Sequence, residues 1–179
     1  AIAERHGLSY RFAGRAEETG DTIADMQVGA AAGLTLIFII LAWVFGSYWR
    51  PLVVMFIIPM GFIGAVLGHW LLGYDLSILS IFALLGLSGI VINDSIILVR
   101  TIDERCRSQP LLEAIVDGSC DRFRAVLLTS ATTIGGLTPL LFERSLQAQF
   151  LIPMAVTLVF GLAVATLLVL LVVPSLIAI

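Results

Sequence analysis

Five apolar runs, each long enough to cross a hydrocarbon core of about 30 Å, decide what this chain can fold into. They fall near residues 28–48, 52–72, 76–99, 123–141 and 150–177. Each is continuously apolar rather than alternating, which predicts helices and not barrel strands. Composition agrees: 59% of the residues are hydrophobic and 13% are charged. A soluble domain of this size cannot hide that much apolar surface. The expectation is an all-α polytopic membrane protein built on a five-helix transmembrane bundle.

The breaks between runs set the connections. Gly46-Ser47-Tyr48-Trp49-Arg50-Pro51 reads as a tight turn with aromatics at interface level. Gly73-Tyr74-Asp75 turns the second run into the third, and Glu143-Arg144-Ser145 separates the fourth from the fifth. The loop between the third and fourth carries its own amphipathic helix, over about 109–120. Ser108 or Gln109 can cap it, Pro110 suits its first turn, and Leu111, Leu112, Ile115 and Val116 form one stripe. Gly118 is expected to end it. Such a helix lies along the membrane face with its apolar side toward the bundle, as a mechanical connector.

Arginine distribution gives the orientation. Arg50, Arg100, Arg105, Arg107, Arg122 and Arg124 fall on one side, and the short loops opposite receive only Arg144. The positive-inside rule makes the arginine-rich side cytoplasmic. Cys106 and Cys120 then face the cytoplasm, where free thiols are expected and a metal pair is disfavoured for want of nearby ligands. Residues 1–27 lie outside. Within them Leu8–Phe12 alternates like a strand, Gly14 breaks it, and from Glu17 an acidic helix leads through Asp21 and Asp25 into the first span. A lone strand is not stable, so its sheet partners must lie elsewhere. With no initiator Met and no signal peptide ahead of this polar segment, the chain is read as part of something longer.

One ionisable residue sits where lipid makes charge expensive. Asp94 lies inside the third run, in the polar knot Asn93-Asp94-Ser95. A carboxylate there costs several kcal/mol unless it is paired, hydrated or protonated, so such groups are functional candidates. The competing reading is an interhelical clamp, a role usually filled by uncharged Asn, Ser or Thr. Asp94 lies six residues inward from Arg100, roughly 9 Å, and Thr129 five inward from Arg124, about 7.5 Å. Thr129, Thr132 and Thr133 form a hydroxyl stripe at that depth. They can serve the carboxylate, or bond their own i−4 carbonyls.

Small residues mark candidate helix contacts: Gly64 with Gly68, Gly29 with Gly33, and Gly86 with Gly89 beside Asp94. Pro59 and Pro139 lie inside spans, where kinks are tolerated. Gly86-Leu87-Ser88-Gly89 also matches the G-x-S-G of rhomboid-type intramembrane proteases. Those need a His after the serine, whereas His6 and His69 both precede it, so an enzyme is not expected.

In order and spacing, a set of motifs resembles the resistance–nodulation–division (RND) efflux permeases, in particular the hydrophobe/amphiphile multidrug exporters. The set starts with Gly14 and Glu17-Glu18 and the 46–51 turn. It continues through Ile58-Pro59-Met60-Gly61, Gly64-Ala65, Gly86-Leu87-Ser88, Arg122-Phe123-Arg124 with Leu128-Thr129-Ser130, and Gly136-Leu137-Thr138-Pro139-Leu140. The resemblance covers nearly the whole chain and is to the family's C-terminal half, from its eighth to its twelfth helix. It implies that residues 1–27 end a periplasmic porter region and that 28–179 form half of a twelve-helix transmembrane domain.

The resemblance further implies a multi-pass protein of the cell inner membrane that exports hydrophobic or amphiphilic compounds in exchange for protons. The proton gradient supplies the energy and no cofactor is needed. The implied partners are membrane lipid, an N-terminal half of the same polypeptide, further copies in a homotrimer, a periplasmic adaptor and an outer-membrane channel; nucleic acid is not among them. Lipid export, protein-export assistance and a non-transporting scaffold are the alternatives. In the family, two aspartates of the fourth helix pair with a lysine on the tenth, and a threonine and an arginine lie near. Here Thr129 and Arg122 match the threonine and arginine. Asn93 stands at the lysine position, and Asp94 stands where the next asparagine would be. A proton relay through Asp94, Asn93, Thr129 and Arg122 is therefore expected to differ from the family's pattern.

Overall fold

The computed structural model describes residues 15–178. The strand expected over 8–12, with His6 and Gly14, lies outside the described residues. The chain divides into two units, 1–36 and 37–179, with the boundary inside the first helix. Every regular element among the described residues is a helix. In chain order these are α1 (Arg15–Phe45), α2 (Trp49–Phe56), α3 (Ile58–Leu72), α4 (Ile78–Arg105), α5 (Leu111–Leu141), α6 (Leu146–Gln149) and α7 (Ile152–Ile177).

The helix ends follow from local chemistry. Past α1, Gly46 takes a left-handed φ of 59°, and past α3 Gly73 takes φ 70°, conformations glycine adopts without penalty. The second run is not one helix but two. Pro59 has no N–H to give the carbonyl four residues back, so the chain tightens at Ile57 and restarts with Pro59 in the first turn of α3. Ser77 and Ser80 cap α4 reciprocally: the Ser80 amide donates to Ser77 Oγ at 3.2 Å and the Ser77 amide to Ser80 Oγ at 3.3 Å. This helix continues beyond Val99 to Arg105, which carries Asp103 with it.

The largest departure from the sequence reading is α5. No separate helix covers 109–120; α5 runs without a break from Leu111 to Leu141. Gly118 does not end a helix. A Cβ there would lie 3.0 Å from Ile102 Cγ1 and 3.2 Å from its Cα, so glycine lets α4 and α5 approach. Among the described residues four segments are long and apolar enough to cross a membrane: Thr22–Phe45, Trp49–Leu72, Ile78–Arg105 and Ile152–Ile177. The 123–141 stretch of α5 is not among them: Arg124 lies within it, and Thr129, Ser130, Thr132, Thr133 and two adjacent glycines further dilute its apolar character.

Within the second unit α7 is the central helix, and α3, α4 and α5 all pack on it. The core runs through Val54, Ile57, Leu87, Leu98, Leu162 and Val169, each almost fully buried. The α3–α7 contact is the tightest. A Cβ on Gly64 would lie 2.6 Å from the Phe160 carbonyl oxygen and 2.7 Å from Val164 Cβ, and one on Gly68 would lie 2.5 Å from Phe160 Cβ. Gly61 and Gly161 extend the seam, with Leu87 of α4 filling the space between them. Two buried hydrogen bonds join helices to this centre: His69 Nε2 to Thr157 Oγ1 at 2.9 Å, and Ser130 Oγ to Thr166 Oγ1 at 2.6 Å.

Two outcomes are expected. Gly64→Ala should lower the thermal midpoint of the purified protein well beyond Gly135→Ala, whose Cβ meets nothing. Overpacking against a backbone oxygen costs about 1–3 kcal/mol. A double-mutant cycle on Ser130→Ala and Thr166→Val should return a coupling of about 0.6 kcal/mol, the mean for such bonds in membrane bundles. Zero coupling would mean the two hydroxyls do not bond each other.

Candidate functional site

The relay residues expected from sequence lie on α4 and α5, which pack together. Arg122 sets their register. Its Nε donates to Thr101 Oγ1 at 2.7 Å, and the Thr101 hydroxyl donates in turn to the Ile97 carbonyl at 2.9 Å. From that contact Asn93 is eight residues back along α4, ~12 Å, and Thr129 seven residues on along α5, ~10.5 Å. The five-residue link between these helices returns the chain, so Asn93 and Thr129 lie at nearly the same depth. Both are exposed.

Asp94 points elsewhere. One residue on from Asn93 is a turn of about 100° around the helix, and Asp94 is only 8% exposed. Its buried companions on α4 are Val91, Ile92, Ser95 and Leu98. Among the described residues no side chain or amide hydrogen-bonds to its carboxylate. Ser95, its neighbour, donates to the Val91 carbonyl at 2.7 Å. Among the described residues it is the only acidic one that is buried.

The threonine stripe serves its own helix. Thr129 donates to the Ala125 carbonyl at 2.8 Å, Thr132 to that of Leu128 and Thr133 to that of Thr129, each at 2.9 Å. Of the two readings left open by sequence, the i−4 backbone bond is the one seen. Gly86 and Gly89 do not pack within this bundle: a Cβ on either meets nothing within 4 Å. They are exposed on the same face of α4 as Asn93, turned away from Leu84, Leu87 and Val91. Ser88 donates to the Leu85 carbonyl at 2.6 Å, while His69 bonds Thr157 and the Tyr74 carbonyl. Each of the two protease candidates is thus engaged with another partner.

Sequence reasoning did not foresee the polar ties at the arginine-rich end. Arg50 pairs with Asp103 at 2.8 Å, tying α2 to α4. Arg105 bonds Asp121 and lies 3.5 Å from Asp117, tying α4 to α5. The signal available was opposite charge at matching depth, which becomes readable only once α4 is known to reach Arg105. Cys106 and Cys120 are free thiols.

Comparison with known proteins is consistent across sequence and structure. The sequence model of the AcrB/AcrD/AcrF family matches residues 2–179. The swarming motility protein SwrC of Bacillus subtilis (strain 168) is 29% identical over 169 residues, covering 93% of this chain and 16% of that protein. The multidrug resistance protein MdtC of Proteus mirabilis (strain HI4320) is 30% identical over 165 residues, covering 91% of this chain and 16% of that one. The crystal structure of a heavy metal efflux pump (crystal form II) superposes with a TM-score of 0.83 at 26% identity, covering 94% of this chain and 18% of the pump. The chain thus spans about a sixth of the length of these relatives. With a match over almost its full length and several apolar helices able to cross a bilayer, this multi-pass membrane protein belongs to the AcrB/AcrD/AcrF family of RND efflux permeases.

Proposed function

We propose that this chain is a transmembrane half of a proton-driven efflux permease, and that Asp94 carries or gates the protons. The observation that carries this reading is an acidic residue at membrane depth, 8% exposed as a whole, whose carboxylate has no hydrogen-bond partner among the described residues. A structural clamp would be bonded, and among the described residues this group has no hydrogen bond. An unpaired acid inside a span is retained at a cost of several kcal/mol, which a purely structural residue has no reason to bear. Asn93 and Thr129 are exposed at the same level on α4 and α5, and Arg122 is held by Thr101 ~10–12 Å further along these helices. They form the polar surroundings in which a proton, delivered by water, reaches Asp94. No metal or organic cofactor takes part; the proton gradient is the energy source, and the protein is a transporter and not an enzyme.

The substrate class in this reading is hydrophobic or amphiphilic compounds, supported by similarity to a protein named for multidrug resistance. The working unit is a homotrimer of the complete polypeptide in the cell inner membrane, joined to a periplasmic adaptor and an outer-membrane channel. The arginine-rich end of the bundle faces the cytoplasm.

The tests are direct. In the full-length permease, Asp94→Asn conserves shape and removes only charge and titration. Drug export should fall to the level of an empty-vector control, with expression and assembly nearly unchanged. Thr129→Ala should weaken export less, because a water replaces a hydroxyl but not a titrating group. Normal export by the Asp94→Asn protein would return the residue to a structural role. For topology, single cysteines near Arg105 should label only from the cytoplasm and those near Glu143 only from outside. The reverse pattern would overturn the orientation.

A further inference from the structure

The arginine-rich end carries a second feature, separate from Asp94. A cleft of about 450 Å³ opens between the end of α1, the start of α2 and the last turns of α4. Arg50, Arg100, Arg107, Asp103 and Glu104 form its polar wall, and Val44 and Phe45 an apolar one. Arg50 and Asp103 neutralise each other at 2.8 Å. Arg100, Arg107 and Glu104 line the same cleft, Arg107 also acting on Asp103, and none of the three has an ion pair within 4 Å among the described residues. The cleft therefore holds one uncompensated positive charge.

The hollow continues past the ion pair. A second cleft of about 280 Å³ shares Arg50, Asp103 and Cys106 with the first and adds the apolar Val53, Val99, Leu111 and Ile177. A third, of about 260 Å³, shares Trp49 and Val53 with the second and is closed by Leu52, Phe56 and Leu176. Phe56 lies six residues from Arg50, about 9 Å along the chain if helical throughout. Polarity falls along the series: five charged side chains in the first cleft, one ion pair in the second, none in the third. Trp49, Leu52 and Phe56 are each at least half exposed, so the apolar end opens outward. The profile is that of an amphiphile with an anionic head and a single apolar tail.

We infer that these three clefts bind one anionic phospholipid of the arginine-side leaflet. Its phosphodiester accepts hydrogen bonds from the Arg100 and Arg107 guanidiniums, and one acyl chain lies along Trp49, Val53 and Phe56. Charge selects the occupant. A phosphodiester brings the single negative charge that balances the first cleft, and the guanidinium fork matches phosphate geometry. Basic pockets between helices on the cytoplasmic side hold such headgroups. A zwitterionic lipid would carry a second cation into a cleft already positive. Free phosphate would leave the apolar clefts empty.

The test is lipid retention, which is indifferent to the role of Asp94. The full-length protein carrying this chain is purified in detergent, offered phosphatidylglycerol or phosphatidylcholine, and its bound lipid counted by native mass spectrometry. Phosphatidylglycerol should be retained in preference. Replacing both Arg100 and Arg107 by Ala should weaken that site roughly thirty-fold, from about fivefold for each arginine near a membrane surface. Glu104→Gln should strengthen it, a gain of binding that misfolding cannot produce. Phe56→Ala should weaken both lipids, because it shortens the acyl wall. Equal retention of the two lipids, or no response to either the arginine pair or Glu104→Gln, would overturn the proposal. Displacement of the lipid by inorganic phosphate at matched concentration would also overturn it, assigning the cleft to a soluble anion.

Discussion

The close approach of α3 to α7 is the contact on which the rest of this bundle depends. Lipid tails are as apolar as leucine, so helices gain nothing by hiding apolar surface from water inside a membrane. What holds them is van der Waals contact, and contact requires backbones that come near. Gly61, Gly64 and Gly68 on α3 and Gly161 on α7 remove the side chains that would keep the two axes apart. The Phe160 carbonyl then sits where a Cβ of residue 64 would be. Leu87 reaches from α4 into the same gap, so the seam fixes the third helix as well as the first two. Hydrogen bonds from Ser130 and His69 to threonines of α7 fix the rotation of α5 and α3 about that centre.

The rotation of α4 decides the chemistry. With Leu84, Leu87, Val91 and Leu98 turned inward, Asn93 must face outward and Asp94, one step on, must face in. The family resemblance puts the lysine of the proton site at 93. A carboxylate at 94 is therefore not the same charge position with the sign reversed. It occupies another side of the helix, toward the core of its own bundle. Asn93 keeps the position and loses the cation; Asp94 adds an acid where the pattern has an amide.

Much of the fold was legible because membrane helices announce themselves by long apolar runs, and turns by Gly46 and Gly73. The Gly64–Gly68 spacing was legible for the same reason: small residues four apart share one face. Gly161 was not, since a lone glycine carries no spacing to interpret. The continuity of α5 was hidden by Gly118, which sequence rules treat as a stop and which here serves the contact with Ile102. The site was legible in part. Asp94 stood out by cost alone, and residues at matching depth on two helices can be read from sequence because α-helical rise is constant. Which way each side chain points was not legible. That depends on a 100° step per residue against a packing face that only the assembled bundle defines. The threonines were ambiguous for a local reason: a hydroxyl in a helix always has a carbonyl four residues back within reach.

A proton carrier must meet two environments, one that supplies the proton and one that holds it. Asp94 is only 8% exposed as a residue, and its backbone neighbour lies on the open face. A small roll of α4 about its axis would bring the carboxylate toward the polar level occupied by Asn93 and Thr129. The tie between Arg122 and Thr101 lies about 10 Å along the helix from it, near the end where α4 is also bound through Arg105 to α5 and through Asp103 to α2. Those ties hold that end, and in the middle of the span α4 is held on one face by Leu87 in the α3–α7 seam, while the glycine face at 86 and 89 meets no neighbour in this bundle. Burial on one side, an unfilled face on the other and polar anchors at one end are what a gated carboxylate requires. A clamp requires the reverse: a bonded side chain, like Ser130, in a seam that is filled.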